Sequence, residues 1–331
     1  MNTITIDTGT TNTRISLWQN KKAVYRSFRE VGVRDTAVDG NNLRLKAGIK
    51  AGIEEVLLKN NLHLYDVTNI LATGMITSNV GIFEVPHLNA PVGVKELADG
   101  MIPHYLSDIV EKEIWFVPGV KNHVSEVTID NCEAMDIMRG EEVEAVALIS
   151  RLKIKGPAVI VLPGSHSKYV AINEDNKITG CLTSLAGELL SVITNHTIIA
   201  NALEKSFAKE LNREMIIQGY KNNQQYGLSR LSFSVRILDQ FTNLSINEKA
   251  NFLLGAVLSD ELKAVKNSKA LSLKQDSHIV IAGKDILKQA YEVIFNEDAY
   301  FHKITAIDNK ELDDLAGYGA ICLSEIRGIL K

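Results

Sequence analysis

A short stretch at the start of the chain is echoed near its middle, and this echo constrains the fold more than any other feature. Residues 5–17 read TIDTGTTNTRISL and residues 160–172 read IVLPGSHSKYVAI. Displaced by 155 positions, Gly164 falls on Gly9, Ser165 on Thr10, Ser167 on Asn12, Val170 on Ile15 and Ile172 on Leu17. Each stretch has a strand-like run, a turn of glycine and short polar side chains, and a second strand-like run. Each also opens about half of the chain. Two such hairpins predict a duplicated α/β unit, in which two lobes face one another across a cleft.

The remaining pattern agrees with an α/β class. LRLKAGIKAGIEEVLLKNN (from Leu43) has apolar residues at helical spacing, and DVTNILATGM reads as a strand running into a glycine loop. IWFVPG is a strand, and MRGEEVEAVALISRL is a helix whose acidic start suits the positive end of its dipole. KGP at Lys155–Pro157 is a breaker that divides the chain into lobes of residues 1–155 and 156–331. Beyond it, ITGCLTSLAGELLSVITNHTII passes from strand to helix near Gly187, and IVIAGKDILKQAYEVI is strand, glycine turn and helix. LDDLAGYGAICLSEIRGIL is a closing helix, expected to pack back on the first lobe. Between Asn201 and Asn251 the sequence offers helices and a polar loop, QGYKNNQQYG, with no chemistry of its own.

Composition narrows the functional classes. A hydrophobic content of 45% with 23% charged residues is that of a soluble globular protein. The net charge of −4 argues against a general nucleic-acid binder, which needs a basic surface. Cys132, Cys181 and Cys322 are widely spaced and form no CxxC pair, which suits a reducing cytoplasm and neither a zinc site nor a disulfide framework. The chain opens on a strand without the layout of a signal peptide, and no apolar run approaches the ~20 residues of a membrane span. No GxxxxGK[ST] loop, GxSxG elbow or HExxH helix is present. His166 is a lone turn histidine, and Met75, Met135 and Met138 read as packing residues.

Taken alone, the first turn is either an ordinary hairpin or a phosphate clasp with a carboxylate placed to hold a metal. Two facing turns fit the second reading, since a nucleoside triphosphate between them would be held from both sides. Phosphoryl transfer needs positioning, charge neutralisation and a base for the attacking hydroxyl. Asp7 is suited to Mg²⁺, which keeps much of its hydration shell. Leu162 stands at the matching position of the second hairpin, so the metal role rests on Asp7 alone. The Thr10–Thr13 and Ser165–Ser167 turns offer backbone and hydroxyl donors, and Lys168 is either a phosphate cation or a surface lysine. The turn at Gly283 and Lys284 is either a nucleotide-facing helix start or a routine βα loop. Glu141 and Glu142 open a helix just before the interlobe breaker. A carboxylate there is either the base, stabilised by the helix dipole, or a helix-capping group. Arg139 beside them is suited to bidentate pairing with a carboxylate.

These residues resemble the sugar kinase, heat-shock chaperone and actin superfamily, and more closely the 2-dehydro-3-deoxygalactonokinase family. The motifs that carry the resemblance are IDTGTTNTR, GMITSNVG, WFVPG, MRGEE, LPGSHSKYV and AGELL, in order over residues 4–190, with a weaker match at the late AGK turn. The resemblance implies a two-lobed, actin-like, duplicated ribonuclease-H-like fold using ATP and Mg²⁺. The first lobe would bind substrate and phosphate and the second the nucleotide. The implied reaction phosphorylates 2-dehydro-3-deoxy-D-galactonate at its 6-hydroxyl. Glu141 is favoured as base over Glu142, with Glu188 a third candidate for base or for the metal's waters, and Asp7 as the metal residue. Arg139, Met75, Ser78 and Arg14 would face the substrate. Gly9, Thr10, Thr11, Asn12, Gly164, Ser165, His166, Ser167, Lys168, Gly187, Glu188, Gly283 and Lys284 would hold the nucleotide. The implied partner is a small sugar acid, with a homodimer as the possible assembly. Family members usually carry a glycine before the serine of the GM loop and a tryptophan after its later glycine. ITSNVGIFEVP has neither, so the sugar acid is less well specified than the reaction. The rival readings are a kinase for another sugar and a nucleotide-switched filament or binding ATPase. A chaperone of this fold would need an appended peptide-binding domain, for which 331 residues leave no room.

Overall fold

Period-two alternation in the first residues sets the frame of the molecule. The computed structural model describes residues 1–283 and 285–330. In β1 (Asn2–Thr8), Ile4 and Ile6 point to one face of the sheet, and Thr3, Thr5 and Asp7 to the other. β1 pairs antiparallel with β2 (Thr13–Gln19), which pairs with β3 (Lys22–Arg29). After α1 (Val33–Asp39) and α2 (Leu43–Lys59), β4 (Val67–Gly74) returns parallel to β1. There follow β5 (Leu88–Asn89), α3 (Val94–Asp99), β6 (Ile102–Leu106) and β7 (Val110–Phe116). The strand order of this sheet is β3-β2-β1-β4-β7-β6. Leu45, Ile49, Ile53 and Val56, one face of α2, bury the Ile4, Ile6, Ile15 and Leu17 face. Then β8 (Val120–Lys121) and β9 (Ile137–Met138) join β5 in a small three-stranded sheet, and α4 (Glu141–Leu152) ends the first half.

The second half repeats the plan. β10 (Ala158–Leu162), β11 (Ser167–Ile172) and β12 (Ile178–Ser184) form an antiparallel set, followed by α5 (Ala186–His196), α6 (Arg213–Tyr226), α7 (Leu228–Phe241) and α8 (Ile246–Asn267). β13 (His278–Ile281), α9 (Asp285–Asp298) and β14 (Lys303–Ala306) complete the sheet in the order β12-β11-β10-β13-β14. Three antiparallel strands followed by two parallel ones match β3-β2-β1-β4-β7, so the duplication expected from the two turns is present in the topology. The register corrects the residue match. Asp7 pairs with Arg14, whereas Leu162 pairs with Lys168, so the second turn is one residue shorter. Lys168, not Tyr169, is the counterpart of Arg14, and Tyr169, not Val170, that of Ile15.

QGYKNNQQY is not a loop but most of α6. Its buried residues Ile216, Gly219, Tyr220 and Asn223 repeat at helical spacing, and the polar residues between them face outward. The helix crosses α8 at backbone contact: a Cβ on Gly219 would lie 1.9 Å from the Phe252 carbonyl oxygen, and one on Gly255 2.0 Å from that of Ile216. No helix among the described residues is long and apolar enough to cross a membrane.

The last helix, α10 (Leu315–Ile326), packs with α4 between the two sheets. Trp18 and Leu71 from the first sheet and Ile160, Val170 and Val280 from the second close on these two helices. The first half is therefore completed by the end of the chain. Asp314, the N-cap of α10, makes the tie. Its side chain is 1% exposed, and it accepts from Ser16 Oγ at 2.6 Å, Arg26 Nε at 3.3 Å and Arg14 at 3.5 Å. Its backbone is left-handed (φ 45°), a conformation that Asp tolerates better than most residues. Replacing Asp314 with Ala leaves those donors facing a buried void, and the expected loss is about 3 kcal/mol. Chemical denaturation followed by the fluorescence of Trp18, which lies against α10, measures it. A loss under about 0.5 kcal/mol would mean the tie is no stronger than a surface ion pair.

Candidate active site

The pleat that buries Ile4 and Ile6 turns Asp7 toward a cleft of about 610 Å³. The cleft gathers Asp7, Gly9 and Thr10 from the first hairpin, Met75, Ser78, Asn79, Glu84 and His87 from the segment after β4, and Arg139, Glu141 and Glu144 from the start of α4. His166, Lys168 and Thr183 of the second sheet close its other side. The first turn is braced from behind, because Val33 and Arg34 at the start of α1 donate to the carbonyls of Gly9 and Thr10. Thr11 and Asn12 form its exposed tip.

Three chain segments meet beside Asp7. Gly74 ends β4 at φ 77° and Gly140 precedes α4 at φ 117°, backbone conformations that other residues rarely adopt. A Cβ on Gly74 would fall 2.6 Å from the Thr8 carbonyl oxygen and 3.1 Å from an Asp7 carboxylate oxygen. One on Gly140 would meet the Gly74 Cα at 3.3 Å. This close approach brings the start of α4 to the carboxylate.

The carboxylates there crowd one another. Burial pushes the Asp7 carboxyl up to about 6; Arg14 opposes the rise, and Asp314 and Glu141 add to it. Burial, then Asp7 and Glu141, push Glu144 up to about 8. Both groups keep partial access to the cleft, so their burial comes from depth rather than full enclosure. Glu141 also faces the cleft and accepts from the Arg139 backbone N–H at 3.1 Å. Glu142 does not. It is 1% exposed, both its oxygens accept from the Gly140 N–H at 2.8 and 2.9 Å, and burial raises it to about 8. Glu144 was not anticipated; its signal is the spacing of three from Glu141, which puts both on one face of α4. Asp136 and Thr183, which bond to each other at the cleft (Thr183 N–H to Asp136 at 2.5 Å), are brought together only by the fold.

Several expected roles change. Arg139 does not hold its fork free for a carboxylate. One terminal nitrogen donates to the Thr77 carbonyl (2.6 Å) and hydroxyl (2.5 Å), the other to the Val85 carbonyl (2.9 Å) and His87 Nδ1 (3.1 Å). Arg14 lies beside the cleft, stacked over Phe28 and paired with Asp314, and is not among the cleft-lining residues. Ser167 points the other way from Lys168, as alternation requires, and its hydroxyl bonds Tyr291 at 2.8 Å inside the second lobe. Met75 and Met138 line the cleft rather than only filling the core.

The remaining second-lobe residues do converge. A Cβ on Gly187 would lie 2.2 Å from the Gly164 carbonyl oxygen, the Glu188 N–H donates to Ser165, and Glu188 bonds His166 at 2.9 Å. Glu188 is thereby held on the exposed turn and is absent from the cleft lining. Gly283 abuts Pro163, while Lys284 lies outside the described residues. Lys168 is 6% exposed; its ammonium donates to the Ile137 carbonyl at 2.9 Å and to the Thr183 hydroxyl. Two of its three donors are thus committed, leaving one for the cleft.

The donor set fits a magnesium ion. An acidic residue at the cleft, raised by burial and by neighbouring carboxylates, is a group that a divalent cation would return to its ionised form. Among the described residues no three His, Cys, Asp or Glu side chains stand at ligand spacing.

Comparison with known proteins supplies the family. The family described as 2-keto-3-deoxy-galactonokinase matches residues 7–315. The 2-dehydro-3-deoxygalactonokinase of Escherichia coli K12 is 24% identical over 296 residues, 88% of this chain and 89% of its own. A probable 2-dehydro-3-deoxygalactonokinase of Rhizobium meliloti is 28% identical over 139 residues, 41% of each chain. The crystal structure of a putative 2-dehydro-3-deoxygalactonokinase from Sinorhizobium meliloti superposes with a TM-score of 0.73 at 21% identity, covering 97% of this chain and 98% of that one. With the duplicated topology and the carboxylate-lined cleft, these matches show that the chain belongs to the 2-keto-3-deoxy-galactonokinase family and is a carbohydrate kinase, a phosphotransferase.

Proposed function

We propose that the enzyme transfers the γ-phosphoryl group of ATP to the 6-hydroxyl of 2-dehydro-3-deoxy-D-galactonate. One observation carries the catalytic part: of the two acidic residues that open α4, only Glu141 faces the cleft that Asp7 also lines. Glu141 accepts the proton of the attacking hydroxyl as that oxygen approaches phosphorus. Gly9, Thr10 and the remaining Lys168 donor hold phosphate oxygens, with the second-lobe turn at Gly164–His166 opposite them. Asp7 would hold Mg²⁺, which would neutralise charge on the phosphates. The substrate is supported by the family and by the name of the Escherichia coli relative. The free cysteines support a reducing, cytoplasmic setting.

A second reading keeps the reaction and changes the sugar acid. Ser78, Asn79 and Glu84 of the departing loop ITSNVGIFEVP line the cleft, and the departures at Thr77 and Ile82 lie in the same loop, which favours another epimer or chain length. An ADP-release assay over epimeric 2-keto-3-deoxy acids and neutral sugars separates the two. The galactonate derivative is expected to give the highest kcat/KM, and activity confined to neutral sugars would overturn both readings.

Glu141→Gln is expected to lower kcat by about 10²–10⁴-fold with little change in KM. Steady-state kinetics of both single variants check this; an equal loss in Glu142→Gln alone would transfer the base role to Glu142. Asp7 must be ionised to attract the cation, and in the free enzyme it protonates as pH falls through about 6. kcat/KM for MgATP should therefore be flat above that pH and fall about tenfold per unit below it. Asp7→Asn should abolish turnover at every pH while leaving the circular dichroism spectrum intact. Near-normal turnover in that variant would remove Asp7 from the metal site.

A further inference from the structure

The segment between β4 and β5 forms the substrate-side wall of the cleft, and it has no regular secondary structure beyond a single turn at Met75–Thr77. It is nevertheless compact. Gly81 N–H donates to Ser78, Ile82 N–H to Ile76 and Val85 N–H to Thr77, at 2.9–3.0 Å, so the ends of the loop lie together. Arg139, the residue after β9, reaches this junction and bonds both ends at once, Thr77 at the start and Val85 and His87 at the finish. We propose that Arg139 is a staple that sets the shape of the substrate wall, a positioning residue and not the group that binds the substrate carboxylate.

The chemistry of the partners supports this. A guanidinium only donates, so His87 Nδ1 must accept, and the neutral ring carries its proton on Nε2. Burial, with Arg139 and Lys121, pushes His87 down to about 4, which keeps that arrangement through the neutral range. The carboxylates that act on Arg139, Glu142 and Glu84, do so through space and not through a hydrogen bond. Its acceptors are carbonyls, a hydroxyl and a ring nitrogen, the partners of a structural arginine. Asn79 and Glu84, in contrast, face the cleft, are exposed and make no side-chain hydrogen bond among the described residues. They are the wall groups that a fixed loop would hold ready for the sugar hydroxyls. A lysine at position 139 would keep the charge but lose the planar fork that spans two ends of a loop.

That this wall contacts a sugar acid rests on the proposed function; the staple rests on the geometry alone, and the test separates them. Amide hydrogen exchange is measured without substrate on wild type, Arg139→Lys and Thr77→Val. Steady-state KM is measured for ATP, for the 2-keto-3-deoxy acid and for its C1 carboxamide. In Arg139→Lys, Gly81, Ile82 and Val85 should exchange about tenfold faster, and KM for acid and carboxamide should both rise about tenfold, as for the loss of one strong hydrogen bond. KM for ATP should stay within about twofold. Thr77→Val, which removes one acceptor, should show the same changes to a smaller degree, and it decides the question if Arg139→Lys does not fold. Wild-type exchange with a raised KM for the acid and an unchanged KM for the carboxamide would make Arg139 a direct clamp and overturn the staple. Wild-type exchange and KM throughout would also overturn it. If the wild-type enzyme phosphorylates no 2-keto-3-deoxy acid, the substrate reading fails while the exchange rates still decide the staple.

Discussion

The pleat of a β-strand sends successive side chains to opposite faces, and the rest of this molecule depends on how two hairpins use that constraint. In β1, the isoleucines go under α2, and Thr3 and Thr5 with Asp7 go to the face shared by α4 and α10. In β11, Tyr169 and Ala171 go to the helical layer of the second lobe, while Lys168, Val170 and Ile172 go toward the first. A residue's role therefore follows from the parity of its position. Lys168 reaches the cleft and its neighbour Ser167 cannot, although both sit in the same turn motif.

The two central helices then carry the consequences. α4 brings Glu141 and Glu144 to Asp7 by starting at a glycine that touches another glycine, with no side chain in between. α10 arrives from the opposite end of the chain and is fixed to the first hairpin through Asp314. The cluster of carboxylates is costly to bury, and the raised Asp7, Glu142 and Glu144 show the cost. The carboxylates at the cleft come from β1 and α4, and the first turn and Lys168 of the second hairpin bring donors to it.

The lobes are also joined through the small three-stranded sheet. Asn122 pairs with the Cys181 backbone through both ends of its amide, at 2.7 and 2.9 Å, and Val92 and Ile178 exchange backbone hydrogen bonds. Asp136 and Ile137 are bonded to Thr183 and Lys168. The small sheet that follows the β4–β5 segment is thus fastened to the edge strand β12 of the second lobe. The wall leaves the first lobe at Gly74 and ends in a sheet tied to the second, so Arg139 sits where the two meet.

Much of this was legible in the sequence, and the limits have a physical cause. The hairpins, α2, α4, β7, β10 and the α10 segment follow from local periodicity and turn chemistry, which act over a few residues. The echo of the first turn in the second specified the duplicated fold, and the lone Asp7 marked which hairpin brings a carboxylate to the cleft. The α6 segment was misread because its polarity hid a buried face only four residues wide. The one-residue register shift was invisible because strand pairing, not spacing along the chain, decides it. Which of Glu141 and Glu142 faces the cleft, the orientation of Ser167 and the partners of Arg139 required knowing which face of each element is covered and by what. Sequence by itself determined the elements, the duplication and the kinds of group at the cleft, since those depend on local backbone preference and residue chemistry. Only the tertiary structure decided which of those groups point into the cleft and which are already bonded, because that depends on neighbours up to 300 residues away, as the Arg14–Asp314 pair shows.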